Sequence, residues 1–161
     1  MKNLTILTIF VLLTGCAGTP DKTVDGKIIP LDVQVILVSH NEKKPKEMFK
    51  IVKKKLLVDG FAIKHSDTDS FSVNTEYKNS AKNDYDMASD VSMRIVVIPK
   101  ENGSIVRIRG TVRQGVRMPG AANLGDVAVK HRGLKGSIMR NGWDAMHDFA
   151  KKLPQTGIKF E

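Results

Sequence analysis

Thiols are almost absent from this sequence of 161 residues, in which Cys16 is the only cysteine. A domain without a second thiol cannot form an internal disulfide, so its stability must come from packing alone. Long hydrophobic runs are absent as well. The longest, residues 4–13, is about half the length of ~20 residues that a bilayer-spanning helix needs. We therefore do not expect a permanent transmembrane helix.

Recognisable catalytic motifs are also lacking. The four histidines lie far apart, and none has a Gly-x-Ser-x-Gly or His-Glu-x-x-His context. Asp84, Asp86 and Asp90 suggest a calcium loop, but the glycine and the terminal glutamate of an EF-hand are missing. Asp144 lies one helical turn before His147, which we interpret as a surface polar pair and not as a catalytic dyad. We predict that the protein is not an enzyme and has no catalytic residues, metal site or cofactor.

The start of the chain has the layout of a signal peptide. Lys2 and Asn3 are polar with one positive charge, a stretch at residues 4–13 that is apolar except for Thr5 and Thr8 follows, and small residues precede Cys16. The stretch LTGC, residues 13–16, resembles the lipobox of bacterial lipoproteins. This resemblance implies that the cysteine sulfur carries a diacylglycerol, that palmitate or a similar acyl chain anchors the protein, and that Cys16 is the mature N-terminus. The alternative is an ordinary secretory signal with a chance cysteine.

The residue after the cysteine, Ala17, bears on the location. An aspartate at this position commonly retains Gram-negative lipoproteins in the inner membrane. Its absence therefore implies the inner leaflet of the outer membrane, facing the periplasm, if the envelope is of that type.

Composition divides the chain into three parts. Residues 1–15 are predicted to be the signal peptide. Residues 16–30 are predicted to be the lipidated N-terminus and a flexible tether, because they contain prolines and glycines and have no apolar periodicity. Residues 31–161 are predicted to form a single globular α+β domain, which is long enough for one hydrophobic core.

Hydrophobic periodicity predicts two helices and four to five strands in that domain. The first helix, within residues 39–60, is expected to be capped by Ser39 or Asn41, and the second covers residues 140–152 with Trp143 on its buried face. The strands are predicted at residues 31–38, 61–65, 71–77, 93–99 and 105–114, with a hairpin turn at 101–104 and an additional edge strand at 126–129 or 135–139.

This order of elements predicts an α+β fold. We expect a two-layer sandwich, in which a mostly antiparallel sheet of four to five strands carries two helices on one face. The order is similar to that of the helix-grip domains of lipoproteins that accompany outer-membrane barrel and lipopolysaccharide assembly machinery.

Acidic residues are too few to balance the basic ones. The chain has 26 Lys and Arg against 17 Asp and Glu, a net charge of +9. Loss of residues 1–15 removes one basic residue, Lys2, which leaves 25 basic against 17 acidic residues in the mature chain. The lysines of residues 43–55 line one helix face, which is either a solvated face or a surface for an anionic partner.

The arginines of residues 105–114 give the sharper signal. Strand alternation turns Val106, Ile108 and Val112 inward, so the arginines between them form a row on the outer face. Such a row can bind phosphates or carboxylates through paired hydrogen bonds. A basic, glycine-rich loop follows at residues 114–139. The candidate residues for an anionic partner are Arg107, Arg109, Arg113, Arg117, Lys130 and Arg132.

The expected location in the cell envelope limits the kinds of partner that this chain can meet. Nucleic acid is the usual partner of a basic chain, but an envelope protein rarely meets it, and an RNA-binding aromatic signature is missing, so we expect no nucleic acid. We expect a lipid-anchored cell-envelope lipoprotein, attached to the membrane by its N-terminal lipid, that acts as a non-catalytic adaptor or accessory subunit of an envelope protein assembly. The alternative is a binding module for an anionic envelope ligand, namely lipopolysaccharide, phospholipid or peptidoglycan, through its basic strand and loop.

Residues 153–157 read LPQTG, which fits the sorting pentapeptide that sortases recognise in Gram-positive bacteria. A working signal also needs a following apolar stretch and a basic tail, and residues 158–161 supply neither. We expect Leu153 to end a buried helix face and Pro154 to stop the helix. Ile158 and Phe160 are then expected to form a short edge strand or a flap against the core.

Overall fold

A computed structural model describes residues 21–22, 28–80, 89–114 and 125–161. The signal segment, Cys16 and Arg117 lie outside these residues, so their predicted roles remain predictions. The elements are, in chain order, β1 (Val35–His40), α1 (Pro45–Val58), β2 (Ile63–Asp67), β3 (Ser72–Thr75), β4 (Lys78–Asn79), β5 (Ser89–Lys100), β6 (Gly103–Gln114), β7 (Val127–Ala128), α2 (Ile138–Lys151) and β8 (Gly157–Phe160).

The strands form one open antiparallel sheet, which confirms the α+β class. Its order is β2-β3-β5-β6-β1-β8, with β4 paired to β5 and β7 paired to β6. Eight strands are found within the described residues, so the predicted four to five are too few. The reason is that β4 has two residues, too short to show a period of two, while β7 and β8 lie at the edge strands expected within 126–129 and at Ile158 and Phe160, which the count of four to five left out.

The hairpin of β5 and β6 forms the centre of the sheet. Its two-residue turn at Glu101 and Asn102 agrees with the predicted turn, and Lys100 pairs with Gly103. A side chain at Gly103 would collide with the backbone carbonyl of His40, so this position requires glycine for the close approach of two chain segments. The inward residues of the hairpin are buried: Val91, Met93, Ile95, Val97, Val106, Ile108 and Val112.

The first helix begins later than expected. Ser39 belongs to β1, where it pairs with Ile105 and Gly157, and the helix starts at Pro45. The prediction of a Ser39 or Asn41 cap is therefore wrong, and the capping residue, Lys44, makes no side-chain hydrogen bond to the helix. Pairing in the sheet prevents Ser39 from turning back to cap a helix that begins six residues later.

The second helix begins close to the predicted residue. Ser137 caps it by accepting a hydrogen bond from the backbone N–H of Arg140 at 3.4 Å. Trp143, Met146 and Phe149 are buried against the sheet, as the helical spacing predicts.

Both helices pack on the same face of the sheet. Met48, Phe49, Val52 and Leu56 of α1 lie in one hydrophobic cluster with the buried residues of α2 and the inward residues of the hairpin. The outward side chains of the sheet take no part in this cluster. One sheet face is therefore covered by the two described helices, and neither of them lies over the other face, which we call the open sheet face.

The C-terminal strand completes one edge of the sheet. β8 pairs with β1, and its Ile158 and Phe160 pack against the core cluster, with the Phe160 and Trp143 rings 5.9 Å apart. The predicted terminal edge strand is thus confirmed. Neither described helix has the length and hydropathy needed to cross a bilayer.

Part of the predicted tether contacts the domain. Ile29 is 2% exposed and belongs to the core cluster, and its backbone N–H donates to the carbonyl of Asp21 at 2.8 Å. The Asp21 carboxylate lies 2.8 Å from Nε2 of His131 and forms an ion pair with Arg140. These contacts connect the N-terminal side of the chain to α2.

Candidate binding face

Three of the arginines on the open sheet face lie close together. Arg94 on β5 is directly opposite Arg109 on β6. Arg107 lies two residues before Arg109, on the same side of β6. Directly opposed side chains in an antiparallel pair have their Cβ atoms about 5 Å apart. We call Arg94, Arg107 and Arg109 the arginine cluster.

The arginine cluster has no acidic partner among the described residues. By register, the other acids on this face are Asp67, three strands from Arg107, Glu161, two strands from Arg109, and Asp90, four residues before Arg94 on β5 and paired with Arg113. Asp67 is engaged in its own turn, where it accepts a hydrogen bond from the Ser70 hydroxyl at 2.7 Å. Three like charges therefore lie together without the compensation that a structural ion pair would give.

Arg107 is the most enclosed member of the cluster. Its two cross-strand neighbours are Val96 on β5 and Leu37 on β1, and all three side chains are half-buried. The Nε atom of Arg107 is buried and has no hydrogen-bond acceptor in the part of the chain that the structure describes. A buried donor without a partner costs about 1–3 kcal/mol, so an acceptor brought by a bound molecule would be favourable here.

A second unpaired polar atom lies in the same part of the face. Oδ1 of Asn74 on β3 is buried and receives no hydrogen bond from the described residues, and Asn74 is directly opposite Arg94. The row from Asn74 through Arg94 to Arg109 thus contains one acceptor and two cations that have no partner within the described ranges.

Aliphatic side chains continue the face toward the hairpin turn. Ile98 and Ile105 pair across β5 and β6 in the next row, beside Val96 and Leu37. Ile98 is 37% exposed and the other three are half-buried. We call Leu37, Val96, Ile98 and Ile105 the apolar strip. Arg107 lies at the border between this strip and the rest of the arginine cluster.

Arg113, another predicted site residue, is already paired. Its Nε lies 3.4 Å from the Asp90 carboxylate, and its guanidinium lies over the Tyr77 ring at 3.9 Å. Burial, together with a hydrogen bond to Asp126, raises the pKa of Tyr77, although Arg113 itself acts in the opposite direction. Arg113 therefore packs at the far end of the face, and it is not a free cation like Arg107 and Arg109.

The remaining predicted residues lie elsewhere. Lys130 and Arg132 flank the buried His131, in a segment that forms backbone hydrogen bonds with Asp32 and Val33. Arg132 is exposed and lies 3.6 Å from the Asp32 carboxylate. The described structure thus brings Arg107 and Arg109 together and leaves Lys130 and Arg132 outside the arginine cluster.

Arg94 was missed in the sequence, although a signal for it is present. A two-residue turn at Glu101 and Asn102 fixes Lys100 opposite Gly103, and counting back six residues on β5 and forward six on β6 places Arg94 opposite Arg109. The combination of turn signal and alternation would therefore have identified the pair.

The contact between His131 and Asp21 resembles the histidine–aspartate pair of a catalytic dyad. Nε2 of His131 lies 2.8 Å from the Asp21 carboxylate, and Nδ1 lies 2.9 Å from the carbonyl oxygen of Pro30. Both ring nitrogens are thus occupied, and the ring is packed against Trp143 with a centroid distance of 5.0 Å. This arrangement holds two chain segments together and leaves neither nitrogen free to activate a nucleophile.

The predicted polar pair of Asp144 and His147 does not appear among the hydrogen bonds or ion pairs. Asp144 instead accepts a hydrogen bond from Nε of Arg140 at 2.9 Å. The His147 ring contacts Phe160, and burial lowers the pKa of His147 below its usual value, with the charge of Lys151 acting in the same direction. Within the described ranges, no group of three or more metal-ligating side chains is present.

Comparison with known proteins adds no family. No protein-family model matches this chain, and a search of the curated proteins finds no relative. The interpretation of the open sheet face therefore depends on its geometry.

Proposed function

We propose that this protein is a lipid-anchored lipoprotein of the bacterial cell envelope and acts as a non-catalytic adaptor, docking its open sheet face on an acidic surface of an envelope protein. The observation that carries the proposal is the arginine cluster, which has no acidic partner among the described residues and lies beside the apolar strip. The membrane attachment depends on the resemblance of residues 13–16 to a lipobox.

Carboxylates on a partner would complete the arginine cluster. Arginine presents a planar fork of donors that matches a carboxylate with two parallel hydrogen bonds. Arg107 offers an Nε donor that lacks an acceptor, and Arg94 and Arg109 would lose their mutual repulsion when an anion lies between them. Each of these changes favours the bound state over the free state.

The apolar strip favours a protein as the partner. Leu37, Val96, Ile98 and Ile105 are neighbours on the sheet, and they would form a dry centre next to the charged pairs. Burial of this strip contributes about 25 cal/mol for each Å² removed from water, independent of salt. A surface that bound through charge alone would need no such strip.

The second candidate is a binding module for an anionic envelope ligand such as lipopolysaccharide, phospholipid or peptidoglycan. The opposed pair of Arg94 and Arg109 favours it, since two arginines whose Cβ atoms lie about 5 Å apart can direct both guanidinium groups at one phosphate. This candidate differs from the adaptor in its dependence on salt. Attraction between exposed charges is largely screened beyond a Debye length of ~8 Å at physiological ionic strength, whereas burial of the apolar strip is not.

Purification of the acylated full chain from its native membrane, with chemical cross-linking, tests both candidates. For the adaptor we expect one stoichiometric protein partner that remains bound in high salt. Alanine replacement of Arg94, Arg107 and Arg109 should abolish its recovery, and so should Val96→Asp. Alanine replacement of Lys22, Lys44 and Lys135, which removes the same number of charges away from the open sheet face, is the matched control and should leave recovery unchanged.

Two other results would change the conclusion. Absence of a protein partner, combined with salt-sensitive binding to lipopolysaccharide or anionic vesicles that the arginine variant loses, would favour the ligand-binding candidate. Full retention of protein and ligand binding in the arginine variant would refute both candidates.

A further inference from the structure

The exposed side of α1 carries a second cationic surface, on the other side of the molecule from the open sheet face. Lys46, Lys50 and Lys54 follow each other at intervals of four residues and are all exposed. The opposite side of the helix buries Phe49, Val52 and their neighbours in the core. Because both helices pack on the covered face of the sheet, these lysines point away from the arginine cluster.

These three lysines are not neutralised by the fold. Among the described residues, none of them forms an ion pair or a hydrogen bond through its side chain. Glu47, the acid nearest to them on the helix, is already bonded to Lys43 at 2.7 Å, and this contact lowers the pKa of Glu47. Asp59 at the end of the helix is bonded to Lys152 at 2.9 Å.

Two large aliphatic side chains lie next to the lysines. Leu57 is 59% exposed and Val58 is 71% exposed, in the last turn of α1. By helical spacing, Leu57 falls on the same side as Lys46, Lys50 and Lys54, and Val58 lies beside it. Lysines that only keep a helix face solvated would not explain two exposed aliphatic residues at its end. We call Lys46, Lys50, Lys54, Leu57 and Val58 the lysine face.

We infer that the lysine face binds the surface of an anionic phospholipid bilayer. The lysines pair with headgroup phosphates, while Leu57 and Val58 enter the boundary between headgroups and acyl chains. From Lys46 to Leu57 the face is about 16 Å long at 1.5 Å per residue, a length that lies flat on a membrane. The contact turns the open sheet face away from the bilayer and toward a partner.

Lysine chemistry favours a bilayer over an acidic protein surface as the occupant. An ammonium group is a compact, strongly hydrated charge on a flexible stem, and it needs no fixed geometry in its partner. A fluid layer of headgroups offers phosphates without fixed positions, whereas the arginine cluster on the opposite side has the fixed donor geometry that protein carboxylates match. This inference rests on the proposed lipid anchor but not on the proposed role of the open sheet face.

Each lysine of the lysine face is expected to contribute separately to the attraction between α1 and the bilayer. A lysine close to an anionic membrane contributes about 1 kcal/mol, or about fivefold in the equilibrium between bound and unbound orientations. Loss of all three lysines is therefore expected to reduce that equilibrium about 100-fold. Because the attraction is electrostatic, high salt should reduce it in the same way.

The test measures which side of the protein lies on the membrane. The acylated full chain is placed in vesicles of phosphatidylcholine, either alone or with about 30% phosphatidylglycerol as the anionic lipid. Each protein carries one fluorophore, attached either at Glu47→Cys on α1 or at Ile98→Cys on the open sheet face. A lipid that bears a headgroup quencher reports proximity. We expect strong quenching at position 47 only in the anionic vesicles, and weak quenching at position 98 in both.

Variants with matched charge then identify the residues responsible. Lys46→Gln, Lys50→Gln and Lys54→Gln together should reduce quenching at position 47 to the level seen at position 98, and Leu57→Ser with Val58→Ser should reduce it in part. Lys100→Gln, Lys135→Gln and Lys159→Gln remove the same charge elsewhere and should leave it unchanged. All replaced side chains are exposed, and circular dichroism confirms that each variant is folded.

Equal quenching at positions 47 and 98 would overturn the inference, as would a triple lysine variant that behaves like its control. Recovery of a protein partner does not enter this measurement. The quenching experiment therefore tests the bilayer contact alone, and the cross-linking experiment tests the adaptor role.

Discussion

Replacement of Arg94 by glutamate is expected to stabilise the fold while it abolishes partner binding. Arg94 and Arg109 face each other directly, and no described acid is paired with either. Opposite charges across an antiparallel pair contribute roughly 0.2–1 kcal/mol, and like charges are destabilising. Because glutamate replaces repulsion by attraction, we expect the free energy of unfolding to rise by about 1 kcal/mol.

Urea unfolding of the full chain measures this gain. With a slope of about 2 kcal/mol per M, the unfolding midpoint should rise by about 0.5 M. The gain should shrink in 1 M salt, where the Debye length falls to about 3 Å. Lys159→Glu is the matched control: it reverses one charge on the same sheet face, but its cross-strand neighbour is Leu37, so its midpoint should change little.

The combination of stability and binding decides the interpretation. A gain in stability with a loss of binding would mean that the chain keeps a destabilising pair of arginines for its partner. A lower midpoint for Arg94→Glu, or an equal rise for Lys159→Glu, would refute the reasoning, since the effect would then not come from the opposed pair. A stable variant that still binds its partner would remove Arg94 from the site.

Three further predictions concern the fold. Gly110→Ala should lower the free energy of unfolding by about 1–3 kcal/mol, because the added methyl group collides with Sδ of Met146. In a double-mutant cycle, Met146→Ala should relieve this cost, and additive effects of the two substitutions would contradict the prediction. Burial acts to raise the pKa of Asp21, but the hydrogen bond from His131 and the charge of Arg140 outweigh it and lower this pKa below its usual value. The ionised Asp21 therefore stabilises the fold above its usual pKa, and this stabilisation is lost as the pH falls through the lowered pKa. Between about pH 5 and pH 2, Asp21→Asn should lose less stability than the wild type in an acid titration, and parallel curves would contradict this. Phe160→Ala removes ring contacts with the second helix and should cost about 2 kcal/mol in urea unfolding, whereas membrane association should remain, and loss of that association would contradict the interpretation of the C-terminus as part of the fold.

The local elements were largely predictable from the chain. The three-four spacing identified the buried face of the second helix, including Trp143, because a helical period of 3.6 is visible within a few turns. The inward residues of β6 were predicted for the same reason at a period of two. The two-residue strand β4 was beyond this reach, since two residues show no period and pair only because a longer strand lies beside them, whereas β7 lies within 126–129, one of the two alternatives for an edge strand.

The binding face was only partly predictable. Alternation placed Arg107 and Arg109 on one side of β6, but it also suggested Arg113, which the fold pairs with Asp90 and Tyr77. Those partners lie more than twenty residues away, and a sequence pattern of period two contains no information about them. The lysines of α1 were visible as a row, while the exposure of Leu57 beside them was not.

The sequence by itself determined which residues of each element face the core, the excess of positive charge, and the lipobox-like stretch on which the expected anchor depends. Tertiary structure alone decided that both helices cover the same sheet face, that the buried Arg107 Nε lacks an acceptor, and that the arginine cluster and the lysine face lie on opposite sides. The physical reason is distance along the chain. Periodicity and charge are local properties that each segment carries with it, whereas register, pairing and the choice of face arise only when segments far apart in sequence pack together.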